Sequence, residues 1–416
     1  MKNYLEALTI IQNEISAIGT QQLDTKSANG VVAEDIFSHN PVPSFSNSAM
    51  DGFCLQSELT KNATSDNPVE LKINGTIFAG DQAPTDAKSS GSYEIMTGSM
   101  MPDCMDSVLT VEKGEVIERN GCKILVLSEP VINGANVRKA GEDYQEDELI
   151  LSKGTLINDH HKIGLIMNNH RKVKVYKKPS IGILTTGNEL GIDSPSSVPN
   201  SNGPFLESAV NTLDLKCIEN LHSGDELSVI KEKIQKVRDK NANLILTSGG
   251  VSAGKADFIP AALVEMGAEI LFHKLWIRPG KPILMAKFPD GAIVFGLPGN
   301  PVSVAVGFRF LASQAIRILQ GRALEKPIAS KNSINYKKSE NFCLFAKAIA
   351  RVDEDGQIHT EVMSGQESFK VKPFRDANCW AMIPEGIETI KKGEAISIYP
   401  LSNDGNIAFQ TSSMRK

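Results

Sequence analysis

Ala242-Asn243-Leu244-Ile245-Leu246-Thr247-Ser248-Gly249-Gly250-Val251-Ser252-Ala253-Gly254-Lys255-Ala256-Asp257 is the stretch that decides the fold. An apolar run at 242–247 ends on small polar residues and glycine, and a helical period begins at 257–266. That order is the strand–turn–helix unit of a parallel sheet. Ser248, Gly249, Gly250, Ser252 and Gly254 let backbone N–H groups close around an anion, and a following helix N-terminus adds partial positive charge. The spacing matches neither GxxxxGK[ST] nor GxGxxG, and the same residues also read as a plain glycine-rich turn.

Outward from this unit the pattern repeats. Strands are expected at 180–186, 215–220, 269–277 and 292–295, and helices at 204–213, 225–240 and 301–320. The alternation predicts a central three-layer α/β domain with a mostly parallel sheet, whose ligands bind at the carboxyl ends of the strands. Gly296-Leu297-Pro298-Gly299-Asn300-Pro301 is a second turn of this kind. Asn300 suits the N-cap and Pro301 the first helical position, and the turn is equally explained as a well-capped helix start. Between the two turns, Lys274, Arg278 and Lys281 place three cations in 273–282 with no acid among them. Arg278 offers a planar fork for oxyanions, and the lysines act as point charges. In Thr185-Thr186-Gly187-Asn188-Glu189-Leu190, Glu189 falls at a strand end. With Asp225 and Asp257 it offers oxygens to a hard divalent cation, although each acid also suits a helix N-terminus.

The flanks differ in texture. Leu5, Leu8, Ile11, Ile15 and Ile18 predict an amphipathic helix over 1–20. Short β-like runs at 69–73, 107–112, 123–127 and 149–156 alternate with loops up to a basic stretch ending at Pro179. There Ser46-Asn47-Ser48-Ala49-Met50-Asp51-Gly52-Phe53 reads only as a turn. After Gly321, strands at 342–352, 357–362, 379–383 and 395–399 suggest a small β-barrel or sandwich. The expected regions are therefore 1–178, 179–325 and 326–416. At roughly 150 residues per domain, 416 residues also suggest about three. With 44 basic and 49 acidic residues the formal charge is −5, which argues against a nucleic-acid binder but not against a small anionic ligand. No apolar run approaches the ~20 residues of a membrane span, and Glu6 breaks any signal-peptide core. Six cysteines without a CxxC pair read as reduced cytoplasmic thiols.

Taken in order, SNSAMDGF (46–53), AGDQAP (79–84), IMTGSMMP (95–102), NVRKAGEDY (136–144), LTTGNEL (184–190), NSNGP (200–204), TSGGVSAGKADF (247–258), RPGKP (278–282) and GLPGNPVS (296–303) resemble the MoeA family of molybdopterin molybdenumtransferases, which is similar to the gephyrin E domain. The resemblance implies a β-rich, two-lobed N-terminal region, a MogA-like central domain and a C-terminal β-barrel. It implies a cytoplasmic homodimer whose partner closes the cleft, with transient contact to other molybdenum cofactor enzymes and no nucleic acid or membrane. The implied reaction inserts molybdate into adenylylated molybdopterin with Mg²⁺ and releases AMP. The implied catalytic positions are Asp51, Thr97, Glu189, Asp225 and Asp257, with Glu189, Asp225 and Asp257 also as metal ligands. Implied substrate positions are Ser248, Gly249, Gly250 and Ser252 in the glycine loop and Pro298, Gly299 and Asn300 in the second turn. Lys274, Arg278 and Lys281 in the basic loop, and Ser368 in the C-terminal region, complete them. Three residues depart from the family pattern: Arg278 stands where lysine is usual, Asn188 where aspartate is, and Lys347 where arginine is. The alternatives are a gephyrin-like scaffold without turnover and a MogA- or CinA-like nucleotide enzyme sharing only the central domain. The retained acids favour the transferase.

Overall fold

The computed structural model describes residues 1–190, 197–252, 257–403 and 405–411. They form two compact units, Gln22–Lys174 and the pair of segments Met1–Gln21 and Val175–Lys416.

The larger unit is built on a six-stranded sheet. Its order is Cys217–Ser223, Ile181–Thr186, Leu244–Ser248, Ile293–Leu297, Leu284–Lys287, Glu269–His273. The first four strands are parallel, and Leu284–Lys287 runs against both of its neighbours. Ile181–Thr186, Leu244–Ser248 and Ile293–Leu297 are buried at every position, as a sheet covered on both faces requires. One face shares a core with the helix Asn202–Thr212 and the long helix Pro301–Leu319. The other packs Leu184, Ile245 and Val294 against Ile230, Ile234 and Leu263.

Three expectations change here. The 269–277 strand ends at His273, because Lys274 turns the chain with φ +69°. Ile277–Arg278 then pairs with Cys343 and Leu344 of the C-terminal barrel instead. Leu284–Lys287 went unread because four residues after a proline carry no measurable period. Finally, Pro301–Leu319 is long and apolar enough to cross a membrane, contrary to the sequence reading. With 89% of its span buried in the protein, it is apolar all round because protein surrounds it. Arg309, in a π-turn at Phe308–Ala312, is a buried charge, with Ser303, Ser313 and Gln314 buried in the same span. Its guanidinium donates twice to Glu325, at 2.6 and 2.8 Å, and once to the Pro400 carbonyl.

The N-terminal helix is shorter than expected, Tyr4–Glu14, with reciprocal capping bonds between Asn3 and Glu6. It ends where Ile15 turns extended. The sequence grouped this helix with 1–178. Its stripe of Tyr4, Ala7 and Ile11 instead joins the central core, where Tyr4 stands edge-on to Phe345 and Phe310.

The C-terminal strands close a five-stranded barrel. Cys343–Val352, Ile358–Val362, Ile328–Asn332, Ala395–Pro400 and Cys379–Ile383 follow in turn, and the last pairs back to the first. Alanines 346, 348, 350 and 381 fill its narrow interior. Its outward residues Phe345, Trp380 and Tyr399 belong to the central core. Ile328–Asn332 was not foreseen, because IASKN has too few β-branched residues to signal a strand.

The Gln22–Lys174 unit carries a mixed six-stranded sheet ordered Ser107–Thr110, Gly52–Leu55, Ser92–Ile95, Val69–Ile77, Cys122–Leu127, Glu115–Arg119. A Cβ at Gly52 would stand 1.9 Å from the Leu109 carbonyl oxygen, so only glycine fits after Asp51. The helix Asp159–Met167, capped by Asn158, was also missed.

Ile11 is fully buried between the N-terminal helix and the central core. Ile11→Ala is expected to cost roughly 2–5 kcal/mol in urea unfolding of the full chain. A loss below about 0.5 kcal/mol, the range of surface changes, would contradict this packing.

Candidate functional site at the carboxyl edge of the sheet

Register places the site. Thr185 lies opposite Ser248, Ser248 opposite Leu297, and Thr186 opposite Ser223. The turns after these four strands therefore leave at one edge. His273 ends its strand at the same edge, opposite Leu284. Its ring Nε2 donates to the Val251 carbonyl at 2.8 Å and ties the basic loop to the glycine loop.

Asn202 joins the turns more directly. It is nearly buried, and its amide nitrogen donates to Ser248 Oγ at 2.9 Å and to the Gly299 carbonyl at 2.7 Å. Asn200 adds a bond to Thr185 Oγ1 at 2.9 Å. Neither asparagine was picked out as a site residue from the sequence. A signal was present: Asn202, Leu206 and Val210 recur every four residues, so the buried stripe of this helix begins with a polar side chain.

The substrate positions divide into those facing inward and those left open. Ser248 Oγ is committed to Asn202 and to the Pro298 carbonyl, so its hydroxyl belongs to the scaffold. The Gly249 N–H, expected to hold an anion, donates to the Leu297 carbonyl. Gly249 has φ +95°, and a Cβ there would fall 2.5 Å from the Thr186 carbonyl oxygen. Gly250 has φ +65° above the Thr186 hydroxyl. The hydroxyls of Thr186 and Thr247 are buried without a hydrogen-bond partner among the described residues. Ser252 is exposed, and residues 253–256 of the motif lie outside the described residues. In the second turn Pro298 is buried, while Gly299 and Asn300 are exposed. Asn300 takes the N-cap position with Pro301 following, but its side chain makes no capping bond. The Ser368 carbonyl accepts the Val302 N–H at 3.2 Å instead.

The cations sit nearby on the same unit. Lys274 is half-buried in a left-handed conformation, its N–H bonded to the Ile283 carbonyl. Lys281 is exposed, with its ammonium 5.9 Å from the Trp276 ring centre. Arg278 is exposed beside a cavity of about 350 Å³ that Tyr336, Phe342, Gln366 and Glu367 also line. Lys347 is fully buried, with its ammonium bonded to the Lys370 carbonyl at 2.9 Å.

The carboxylates are less convergent. Glu189 is exposed and folds over Gly187, where a Cβ would meet its oxygens at 2.7 Å. Asp225 Oδ2 accepts the Asn188 N–H, and Asn188 Oδ1 accepts the Asp225 N–H, each at 3.1 Å. That exchange latches two turns together and gives Asp225 a structural task. Asp257 is half-buried. Among the described residues no group of three His, Cys, Asp or Glu side chains is arranged to hold a metal ion. In the smaller unit, Asp51 and Thr97 do meet. Thr97 donates both its hydroxyl and its N–H to Asp51 Oδ1 at 2.7 Å. The hydroxyl bond first, and the N–H second, hold the exposed Asp51 carboxyl below its ordinary range.

Three family models match the chain in succession: MoeA N-terminal region (domain I and II) over residues 3–168, Probable molybdopterin binding domain over 182–318, and MoeA C-terminal region (domain IV) over 330–401. A protein of Staphylococcus aureus named molybdopterin molybdenumtransferase is 30% identical over 97% of this chain and 96% of its own. Another of that name, from Haemophilus influenzae, is 32% identical over 91% and 93%. The crystal structure of the molybdopterin biosynthesis MoeA protein of Pyrococcus horikoshii OT3 is 26% identical and superposes with a TM-score of 0.79, covering 96% of this chain and 99% of that one.

Thr97→Val removes the larger of the two bonds that stabilise the Asp51 carboxylate. The Asp51 pKa is expected to rise toward its ordinary value, read from its side-chain carbonyl carbon in an NMR pH titration. An unchanged titration would show that Thr97 does not set the charge of Asp51.

Proposed function

The chain belongs to the MoeA family and so to molybdenum cofactor biosynthesis as a transferase, and on that premise we propose that it inserts molybdate into adenylylated molybdopterin and releases AMP. The observation that carries this reading is the gathering of oxyanion-binding groups at one sheet edge. The Asn300 amide, the start of the Pro301–Leu319 helix, Lys274, Arg278 and Lys281 all belong to turns that leave there. Phosphates and molybdate are oxyanions of the kind these groups bind. Water attacks the phosphoanhydride and AMP leaves, and the two dithiolene thiols of molybdopterin bond molybdenum, their two protons leaving with one molybdate oxygen as water and the metal unchanged in oxidation state. Sulfur chemistry belongs to the substrate, so the reaction requires no catalytic task of the six free cysteines.

The residues' part is to bind, orient and neutralise. Gly250 and Ser252 would face the phosphate, with the Thr186 hydroxyl, which has no partner among the described residues, beside Gly249 and Gly250. Lys274 and Arg278 oppose the charge of the oxyanions. A magnesium ion keeps most of its waters and takes one or two carboxylates plus phosphate oxygens, which fits Glu189 and Asp257 better than a three-carboxylate cage. Asp225 Oδ2 is already engaged by Asn188. Such an ion supplies charge neutralisation at the anhydride.

We place the protein in the cytoplasm as a homodimer, in which Asp51 and Thr97 of one chain serve the cleft of its partner. The exposed carboxylate held by Thr97 supports that role. The division 1–178, 179–325 and 326–416 is the working domain scheme, with the N-terminal helix docked on the central domain. A scaffold reading is not favoured, because curated relatives covering nearly the whole chain are named as transferases. An enzyme sharing only the central domain is not favoured either, because the flanking regions match as well.

The test is to incubate the protein with adenylylated molybdopterin, Mg²⁺ and either molybdate or tungstate, and to measure AMP. Molybdate-dependent AMP release is expected, reduced at least roughly a hundredfold in a folded Asp257→Ala variant, the scale of losing one transition-state charge contact. Wild-type protein that releases no AMP would contradict the activity, and an active Asp257→Ala would contradict the site. Light scattering should give twice the single-chain mass of 45.1 kDa. A monomer would contradict the shared cleft.

A further inference from the structure

Lys347 stands on the barrel strand Cys343–Val352, opposite Trp380, with its side chain on the outer face of the barrel. It is fully buried. A buried ammonium is costly unless its donors are satisfied, and here the Lys370 carbonyl accepts from Nζ at 2.9 Å while the Phe374 ring centre lies 5.5 Å away. Burial lowers its pKa, and the Glu367 carboxylate works against that shift. The same residue is held at its backbone. Its N–H donates to Gln366 Oε1 at 2.9 Å, and its carbonyl accepts from Gln366 Nε2 at 2.9 Å and from the Met363 N–H at 3.1 Å. The 363–370 segment is thus pinned to Lys347 near its start through Gln366 and at its end through the Lys370 carbonyl.

Ser368 lies between those two pins. Its carbonyl takes the Val302 N–H, one of the N–H groups a helix start leaves without an internal partner. Asn300 makes no capping bond with its side chain, so a barrel loop caps the helix that opens the second turn. We infer that Lys347 is a positioning residue: its ammonium on the Lys370 carbonyl, beside the Gln366 bonds to its backbone, fixes Ser368 against the start of the Pro301–Leu319 helix, and it does not itself touch the oxyanion. The inference rests on the proposed reaction only for its effect on turnover. The latch itself is a property of the fold.

The geometry explains how lysine serves at a position where the family pattern has arginine. A single ammonium with one carbonyl acceptor replaces a planar fork, and the loop comes to the lysine. The oxyanion contacts are then left to Ser368, Arg278 and Lys274.

The test uses the full chain with Lys347→Met, Gln366→Leu, Ser368→Ala and the double variant Lys347→Met/Ser368→Ala. Amide hydrogen exchange reads the latch without substrate. The Val302 amide is expected to lose protection at least tenfold in Lys347→Met and in Gln366→Leu, and to keep it in Ser368→Ala, which retains the carbonyl. Molybdate-dependent AMP release reads the consequence. Lys347→Met and Ser368→Ala should each raise the KM for molybdate roughly tenfold, the scale of one lost hydrogen bond, and the double variant should be no worse than Ser368→Ala. Lys347→Arg should restore both readings. Additive losses would mean that Lys347 contacts the oxyanion directly, and unchanged Val302 exchange would mean that it holds no latch. Either result overturns the inference. If wild-type protein releases no AMP, the proposed reaction fails while the exchange measurement still decides the latch. If Lys347→Met does not fold, Lys347→Gln, which also removes the ammonium, carries the same comparison, while Gln366→Leu reads the backbone half of the latch.

Discussion

The amide of Asn202 is the contact on which the rest of the site depends. A parallel sheet delivers its turns to one edge, but it does not fix where each turn goes once the ladder ends. Asn202 spends both amide hydrogens on that task, one on Ser248 and one on Gly299. A neutral amide has two donors on its nitrogen, so the bridge is fully used. Removing it would leave Ser248 Oγ with the Pro298 carbonyl alone and take the donor from the Gly299 carbonyl, so the two turns would no longer be tied to one another. His273 on Val251, Asn188 with Asp225, and Ser368 on Val302 repeat the arrangement at the other turns. The edge is held by hydrogen bonds between loops, most of them with a side chain on one side and a backbone group on the other.

Charge is distributed on the same principle. The whole chain carries −5, yet the basic loop has three cations and no acid among ten residues. Lys274, itself left-handed, turns the chain out of the central sheet, and Arg278 follows on the short strand that pairs with the barrel. The acids stand on other elements: Glu189 on the first turn, Asp257 beyond the glycine loop, and Asp51 in the other compact unit. In the proposed reaction, which takes oxyanions and a divalent cation, keeping the two signs on separate loops serves both, because neutralising pairs would leave neither available.

Much of the fold was legible in the sequence. The apolar runs 180–186, 242–247 and 292–295 and the period of 225–240 are strong local signals, and they mark the central domain correctly. What was missed lacked a local signal. Leu284–Lys287 is four residues long, Ile328–Asn332 is half polar, and the docking of the N-terminal helix depends on a partner surface far along the chain. The site was legible only as motifs. Glycines and cations announce themselves by type, but which N–H is already engaged does not. The Gly249 N–H and the Ser248 hydroxyl are engaged inside the scaffold, Asp225 exchanges bonds with Asn188, and Asn202, not picked out as a site residue, bridges two turns. Lys347, noted in the sequence only as a departure from the family pattern, is fully buried with its ammonium on the Lys370 carbonyl.

The most direct measurement of this account is molybdopterin affinity, determined anaerobically by fluorescence, for wild-type protein and Asn202→Ala, with urea unfolding of both. If Asn202 organises the site, the variant loses about 1–3 kcal/mol of stability, stays folded, and binds molybdopterin at least roughly tenfold more weakly, a cost of about 1.4 kcal/mol. Equal affinity in a variant destabilised to that extent would contradict the account, because the turns would then keep their positions without the clamp.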